Sequence, residues 1–508
     1  MTNSQRIIVN TAAQYTRTII NVCLSLYSTR LILAALGQTD YGIYSVVAGV
    51  VAMLSFITNA LVTTTQRYLS FHYGAGDKDK IQIVFGNSVL LHIFIGIAIA
   101  AILCAMEPWV TNHLLNISSD RLEAACIVYF AAVIMLLLTF LTAPIRALFI
   151  ARENIVYISV IDVLDGVLKL VLAIGLSHIS CDKLTAYAGL MTGIQLFNLL
   201  AFGIYAARKF EECHWPHLRE WNKQYIKELS GFAGWTVYST GCIIARTQGI
   251  AILLNRFLGS AINAAYGIAL QVSGAVQFVS TSILNAINPQ IMKAEGKGDR
   301  KKMIMLSEYT SKYSFLLLSL VAIPLIAEMD TILQVWLENV PDNTVMFCQY
   351  ILIATLCDQL TIGLTSANQA IGKIKNYSLI FYTFKLLTLL GAWYCLRMQW
   401  SPQCVMYCYV GVELFTAFLR LPLLHKMGNV DIRHFCKQVF GHIAIPTIVI
   451  LLVAILITHT LTGTYRFLIT IAVAIVAGAI AIWFTGLDRN EKELVTQYLH
   501  SICKRNGK

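Results

Sequence analysis

The sequence predicts an all-α integral membrane protein of about fourteen transmembrane helices, arranged as two six-helix lobes followed by two further helices. Three observations predict this class: a charge-poor composition, a succession of apolar stretches long enough to cross a bilayer, and an internal repeat. Of 508 residues, 57% are hydrophobic and only 13% charged, with mean hydropathy +0.67. A soluble domain carries about 25% charged residues.

Apolar stretches of roughly 20 residues or more place helices over 10–35, 41–67, 81–106, 122–148, 154–178, 184–207, 229–257, 262–290, 303–328, 345–371, 376–397, 402–425, 436–459 and 464–486. The first follows a short polar start, Met1 to Arg6, and runs on past Ala35, too long for the apolar core of a cleavable signal. Six helices make an N-terminal lobe over 1–207. A linker over 208–227, rich in charge and aromatics (Glu211, Glu212, Trp215, Trp221), leads to a second lobe over 228–426. The remainder, 427–508, holds the two extra helices and a tail. A shift of 222 residues lays Leu36-Gly37 on Leu258-Gly259, Tyr44 on Tyr266, Gly76 on Gly298 and Asp77 on Asp299 without a gap. So long a period marks two equivalent lobes rather than a solenoid. In an apolar chain, two parallel lobes are a transporter's architecture, with the substrate site between them.

The net charge of +11 is topological. With the N-terminus in the cytoplasm, Arg6, Lys78, Lys80, Arg146, Arg152, Arg208, Lys209, Arg300, Lys301, Lys302 and the basic tail fall on the cytoplasmic side. The opposite loops hold only Arg121, Lys183, Arg256, Arg397 and Arg466. This positive-inside bias puts both termini in the cytoplasm and removes the reason to expect nucleic acid. No G-x-x-x-x-G-K-[ST] cradle is present, so transport must run on gradients rather than on ATP. Most of the thirteen cysteines sit inside apolar helices as small hydrophobes. Cys213, His214 and His217 lie close together in the linker, but no second ligand pair accompanies them and no metal site is expected.

The first helix carries Asn10, Gln14, Arg17, Asn21, Ser25 and Ser28 at spacings of three and four, which share one face. Asn59 and Arg67 in the second helix, and Gln277 and Asn285 in the eighth, extend polar faces into both lobes. In lipid such faces are costly, so together they line water. Taken singly, each amide or hydroxyl serves equally as glue between helices. Arg17 and Arg246 sit deep, one in each lobe, and a guanidinium pairs bidentately with phosphate oxygens. Arg30, Arg67 and Arg420 lie near helix ends and divide evenly between headgroup anchor and site. Four intramembrane acids, Asp162, Asp165, Asp358 and Glu413, are candidates for ion coupling. Asp165 and Lys169 are spaced to pair structurally. Asp358 opens a stripe with Thr361, Thr365 and Asn368 that suits a sodium ion, a proton or plain packing. The Gly74–Lys78 and Gly296–Arg300 segments read as hinge or gate connections.

With the Arg17–Arg30 helix, the Leu-Gly-x-x-x-Tyr-Gly-Ile-Tyr run from Leu36 to Tyr44, the Gly74–Lys80 loop and the echo at Ala265-Tyr266-Gly267-Ile268, the chain resembles the polysaccharide transport proteins of the multidrug/oligosaccharidyl-lipid/polysaccharide exporter superfamily. It is most similar to bacterial flippases for O-antigen or capsule repeat units. The resemblance implies a V-shaped pair of bundles in the bacterial cytoplasmic (inner) membrane, working by alternating access as an antiporter. It implies an undecaprenyl-pyrophosphate oligosaccharide as cargo, bound in a cationic cavity and flipped to the outer leaflet for lipopolysaccharide, capsule or exopolysaccharide synthesis. Proton or sodium would be the coupling ion, membrane lipid the surroundings, and a glycan polymerase or glycosyltransferases the partners. No catalytic residue, metal or cofactor is implied. A lipid II flippase, suggested by the two extra helices, and a cation-coupled multidrug exporter remain as alternatives on the same fold. A membrane-embedded glycan polymerase would need a sizeable outer loop, which the sequence lacks.

Overall fold

A computed structural model describes residues 3–52, 54–110, 121–213, 221–337, 340–463, 465–489, 491–493 and 496. Its helices are α1 (Asn3–Ala52), α2 (Ser55–Ala75), α3 (Lys78–Trp109), α4 (Leu122–Ala151), α5 (Ile155–Gly175), α6 (Lys183–Lys209), α7 (Lys223–Leu258), α8 (Ser260–Gly296) and α9 (Arg300–Ala327). There follow α10 (Met329–Trp336), α11 (Thr344–Gln359), α12 (Ile362–Ile371), α13 (Ile374–Lys385), α14 (Leu387–Arg397), α15 (Pro402–Gly428), α16 (Ile432–Phe435), α17 (Gly441–Thr460) and α18 (Arg466–Ala481). They divide into two compact units, 1–237 with 296–298, and 238–295 with 299–508, so the division falls inside α7.

Among the described residues, eleven helices are long and apolar enough to cross a membrane, or twelve if the bent α11–α12 pair is one span. The two expected spans outside this set are polar for a physical reason. α2 carries Asn59, Thr63, Thr64, Thr65, Gln66 and Arg67, and α5 carries Asp162, Asp165 and Lys169. Two further expected helices are interrupted. The segment over 345–371 bends by 44° after Gln359, and the segment over 376–397 breaks at Leu386. In the N-terminal region the chain does the reverse: α1 continues past the expected loop, kinked at Gly37.

The repeat is written into backbone geometry as well as into residue identity. Gly37 and Gly259 have φ of 78° and 90°, and Gly76 and Gly298 have φ of 74° and 76°, left-handed values that favour glycine. Asp77 then caps α3 by accepting from the Lys80 N–H at 3.2 Å, and Asp299 caps α9 by accepting from the Lys302 N–H at 3.0 Å.

Each unit has its own core. In the first, Tyr129, Phe140, Phe149 and Phe202 are buried among α3, α4 and α6. Arg121, just before α4, donates from Nε to Asp40 at 2.9 Å and from Nη1 to Asp182 at 2.5 Å, joining the starts of α4 and α6 to α1 just past its kink. Burial pushes the Asp182 carboxyl up, but the Thr185 N–H and Arg121 outweigh it and hold its pKa below the ordinary value. In the second unit, Tyr266, Phe347, Leu352 and Met406 are buried. α17 and α18 pack on each other and on α9, with Leu452, Leu456, Val476 and Ile480 outward as a lipid-facing surface. They and the segment after α18 are fastened by charge to the C-terminal end and the middle of α9. Arg466 and Thr470 bind Glu328, and Lys312 donates to both oxygens of Glu491 at 2.6 and 2.7 Å.

Candidate functional site

Two charge clusters stand out, one inside each unit, the first half-buried and the second buried. In the first, α5 presents Asp162, Asp165 and Lys169 on one face. Asp162 takes two guanidinium groups: Arg17 of α1 at 2.7 Å, and Arg146 of α4 in a fork at 2.8 and 3.0 Å. Asp165 accepts from Lys169 and from the Asn198 amide of α6, both at 2.7 Å. The cluster therefore sets three cations against two carboxylates. Arg17 and Asp162 each keep 20% of their side-chain surface exposed, so this cluster is reachable.

The second cluster runs as an alternating chain: Arg246 (α7), Glu413 (α15), Lys385 (α13), Asp358 (α11), Arg420 (α15). Lys385 donates to Glu413 at 2.8 Å and to Asp358 at 3.0 Å, and Arg420 donates to the Asp358 carboxylate at 2.8 Å. Again three cations meet two carboxylates, and the helices correspond to those of the first cluster under the repeat. The breaks in the helices supply part of this site. Where α11 ends, the freed Asp358 carbonyl accepts from Arg420 at 2.7 Å, and Thr361 donates to the Ala417 carbonyl at 2.9 Å. Lys385 is the last residue of α13, at the other break. Rings cover the cations: Arg246 lies 4.5 Å from the Tyr409 centroid and Arg420 4.5 Å from that of Phe381.

The remaining expected residues separate into three groups. Gln14 is buried, and Asn10 beside it donates to the Glu153 carbonyl at 3.0 Å, so this end of the α1 stripe joins elements. Arg67 is buried beneath the rings of Tyr68, Phe71 and Phe232. Asn59, Gln277, Asn285 and Arg30 are exposed, and Asn21 lines a cavity with Ser25 and Ser28. On α8 the exposed Gln277, Thr281 and Asn285 recur every four residues, a polar face that lipid would not tolerate and water would. His214 and His217 lie outside the described residues. The sequence alone puts Arg146 in a cytoplasmic segment, divides Arg420 evenly between headgroup anchor and site, and does not make Lys385 or Asn198 site residues. A tally of charges by equivalent helices across the repeat would have found the first three.

The fold is that of a membrane transporter class. A MOP superfamily transporter from Pyrococcus furiosus Vc1, described as having a binding pocket of reversed polarity, superposes with a TM-score of 0.70 at 14% identity, covering 86% of this chain and 97% of that one. MATE in the bent conformation gives 0.72 at 13% identity, covering 87% and 98%. The MATE transporter ClbM in complex with Rb+ gives 0.69 at 14%, covering 85% and 96%. Residues 4–295 match the family described as polysaccharide biosynthesis protein, and the chain belongs to that family. It is also 20% identical over 330 residues to the uncharacterized membrane protein EpsK of Bacillus subtilis (strain 168), a match spanning 65% of each chain.

Proposed function

We propose that the protein is a flippase that moves an undecaprenyl-pyrophosphate-linked oligosaccharide from the cytoplasmic to the outer leaflet of the bacterial inner membrane, for surface polysaccharide synthesis. The observation that carries this reading is the excess of cations in both clusters, within a family of polysaccharide biosynthesis proteins. An intramembrane charge is costly and is kept where it serves a site. A pyrophosphate supplies the paired anionic oxygens that a guanidinium fork accepts. Arg17 and Arg146 are the reachable guanidinium groups, whereas Arg246 is buried against Glu413 and Tyr409 and acts by holding the second cluster together.

Cargo would compete with Asp162 for Arg17, and Asp162 would keep Arg146 as its remaining guanidinium partner. Asp165, Asp358 and Glu413 are each already matched to a protein cation, so a sodium ion would meet neutralised carboxylates. A proton is therefore the coupling ion in this reading, with both termini cytoplasmic and a glycan polymerase or glycosyltransferases as neighbours in the pathway.

The test is surface display in a deletion strain carrying variants, with the leaflet of the lipid-linked sugar read by a membrane-impermeant lectin. Arg17→Ala should slow display about 10–100-fold, the loss of one charge-assisted contact, with sugar trapped on the cytoplasmic face. Normal display in that variant would remove Arg17 from the site. Normal display in the deletion strain, with new drug sensitivity, would replace the reading with drug export.

A further inference from the structure

Within the first unit, α1, α5 and α6 enclose a cavity of about 260 Å3 walled by Asn21 and Ser28 of α1, Gly166, Asp165 and Lys169 of α5, and Tyr187 of α6. Two of its oxygens are buried with no hydrogen-bond partner, Oδ1 of Asn21 and Oγ of Ser28, and Ser28 is itself 5% exposed. A buried polar atom left unpaired is costly, so atoms of this kind gathered on one cavity wall point to something that completes them. Gly166 helps to shape that wall: a Cβ there would stand 2.9 Å from Asn21 Oδ1 and displace the amide.

The charges on the wall narrow what the cavity takes. Asp165 is matched by the Lys169 ammonium at 2.7 Å, which disfavours a second cation, while the carboxylate disfavours an anion. An apolar guest would leave both orphaned oxygens unpaired. A neutral polyhydroxyl compound fits each group. Its hydroxyls donate to Asn21, Ser28 and Asp165, accept from Lys169, and leave a ring face for Tyr187. The volume falls just below the about 300–1,000 Å3 typical of drug-sized ligands, room for one sugar ring and not for a chain. Lys169 keeps 39% of its side-chain surface exposed, so the cavity has a mouth.

We infer that this cavity is a subsite for a single pyranose ring of a neutral sugar, distinct from the guanidinium forks that would hold the pyrophosphate. The inference deepens the flippase reading, on which its biological meaning rests.

The test uses purified full-length protein in lipid nanodiscs and saturation-transfer NMR with the methyl glycosides of glucose, galactose and N-acetylglucosamine, alongside glucuronate and a sodium-23 linewidth measurement. At least one neutral glycoside should receive saturation. Its signal should fall about fivefold in Asn21→Leu, the loss of one hydrogen bond, and vanish in Ser28→Phe, which fills the cavity. Asn21→Leu is the variant that decides if Ser28→Phe fails to fold, provided it elutes and melts as the parent does. No saturation from any neutral glycoside, equal signals in the parent and Asn21→Leu, or sodium broadening that Asn21→Leu abolishes would each overturn the subsite. The lectin assay on the deletion strain judges the flippase reading separately. Trapped sugar without glycoside binding overturns the subsite alone, and glycoside binding with normal display supports the subsite while overturning that reading.

Discussion

Glu413 holds two cations at once, Arg246 on one oxygen and Lys385 on the other, and is itself buried. Removing one partner of a buried ion pair leaves an uncompensated charge, a loss of about 3–5 kcal/mol. Glu413→Gln should therefore lower stability by about that amount, read as a drop in thermal midpoint of the detergent-solubilised protein. An unchanged midpoint would mean that the cluster rearranges around the loss. These pairings were only partly legible from sequence. Asp165 and Lys169 lie four residues apart on one helix, so their contact could be read from spacing alone. Arg17 meets Asp162 across 145 residues and Arg246 meets Glu413 across 167, and no local pattern carries that information. The sequence showed that these residues were deep and charged, but not which would neutralise which, nor that Arg246 would be closed off while Arg17 stayed open.

At the scale of elements, the glycines of the repeat were legible because they recur at the same offset, and the structure shows what they do. Gly37 has φ 78° and ψ 172°, a backbone region that is essentially closed to residues with a Cβ, yet no atom lies within 4 Å of where a Cβ would stand. Gly37→Ala should then cost about 1–3 kcal/mol through the backbone alone. Gly42→Ala, equally uncrowded and without positive φ, should change the thermal midpoint little. Equal midpoints for the two variants would refute the backbone argument. The breaks after Gln359 and at Leu386 were not legible, because neither is marked by proline or a glycine pair. The first is accompanied by tertiary contacts instead: Arg420 draws off the Asp358 carbonyl, and Ser311 accepts from the Gly363 N–H at 3.0 Å. The same polar groups that made α5 weak as an apolar span build the first unit's site.

Over the whole molecule, the last two helices were expected as an appendage outside the repeat, and the structure ties them into the second unit through α9. Lys312 and Glu491 are both buried, and Tyr313 also donates to Glu491 at 2.6 Å. Lys312→Met or Glu491→Gln alone should destabilise by about 3–5 kcal/mol, whereas Lys312→Met with Glu491→Met should recover part of it, since no charge is then left unpaired although the Tyr313 hydroxyl loses its acceptor. Thermal midpoints of the three variants decide the matter, and a double variant as unstable as the singles would deny the coupling.

That same pair sets a condition on how the chain is made. Lys312 emerges 179 residues before Glu491, which at about 5–20 residues per second amounts to roughly 10–35 s of synthesis. Throughout that interval an ammonium sits in an apolar helix without its eventual counter-charge, a placement that costs about 2.5–3.5 kcal/mol at the bilayer centre. α9 must therefore wait near the insertion machinery, or tilt its lysine toward the headgroups, until the end of the chain arrives to release it.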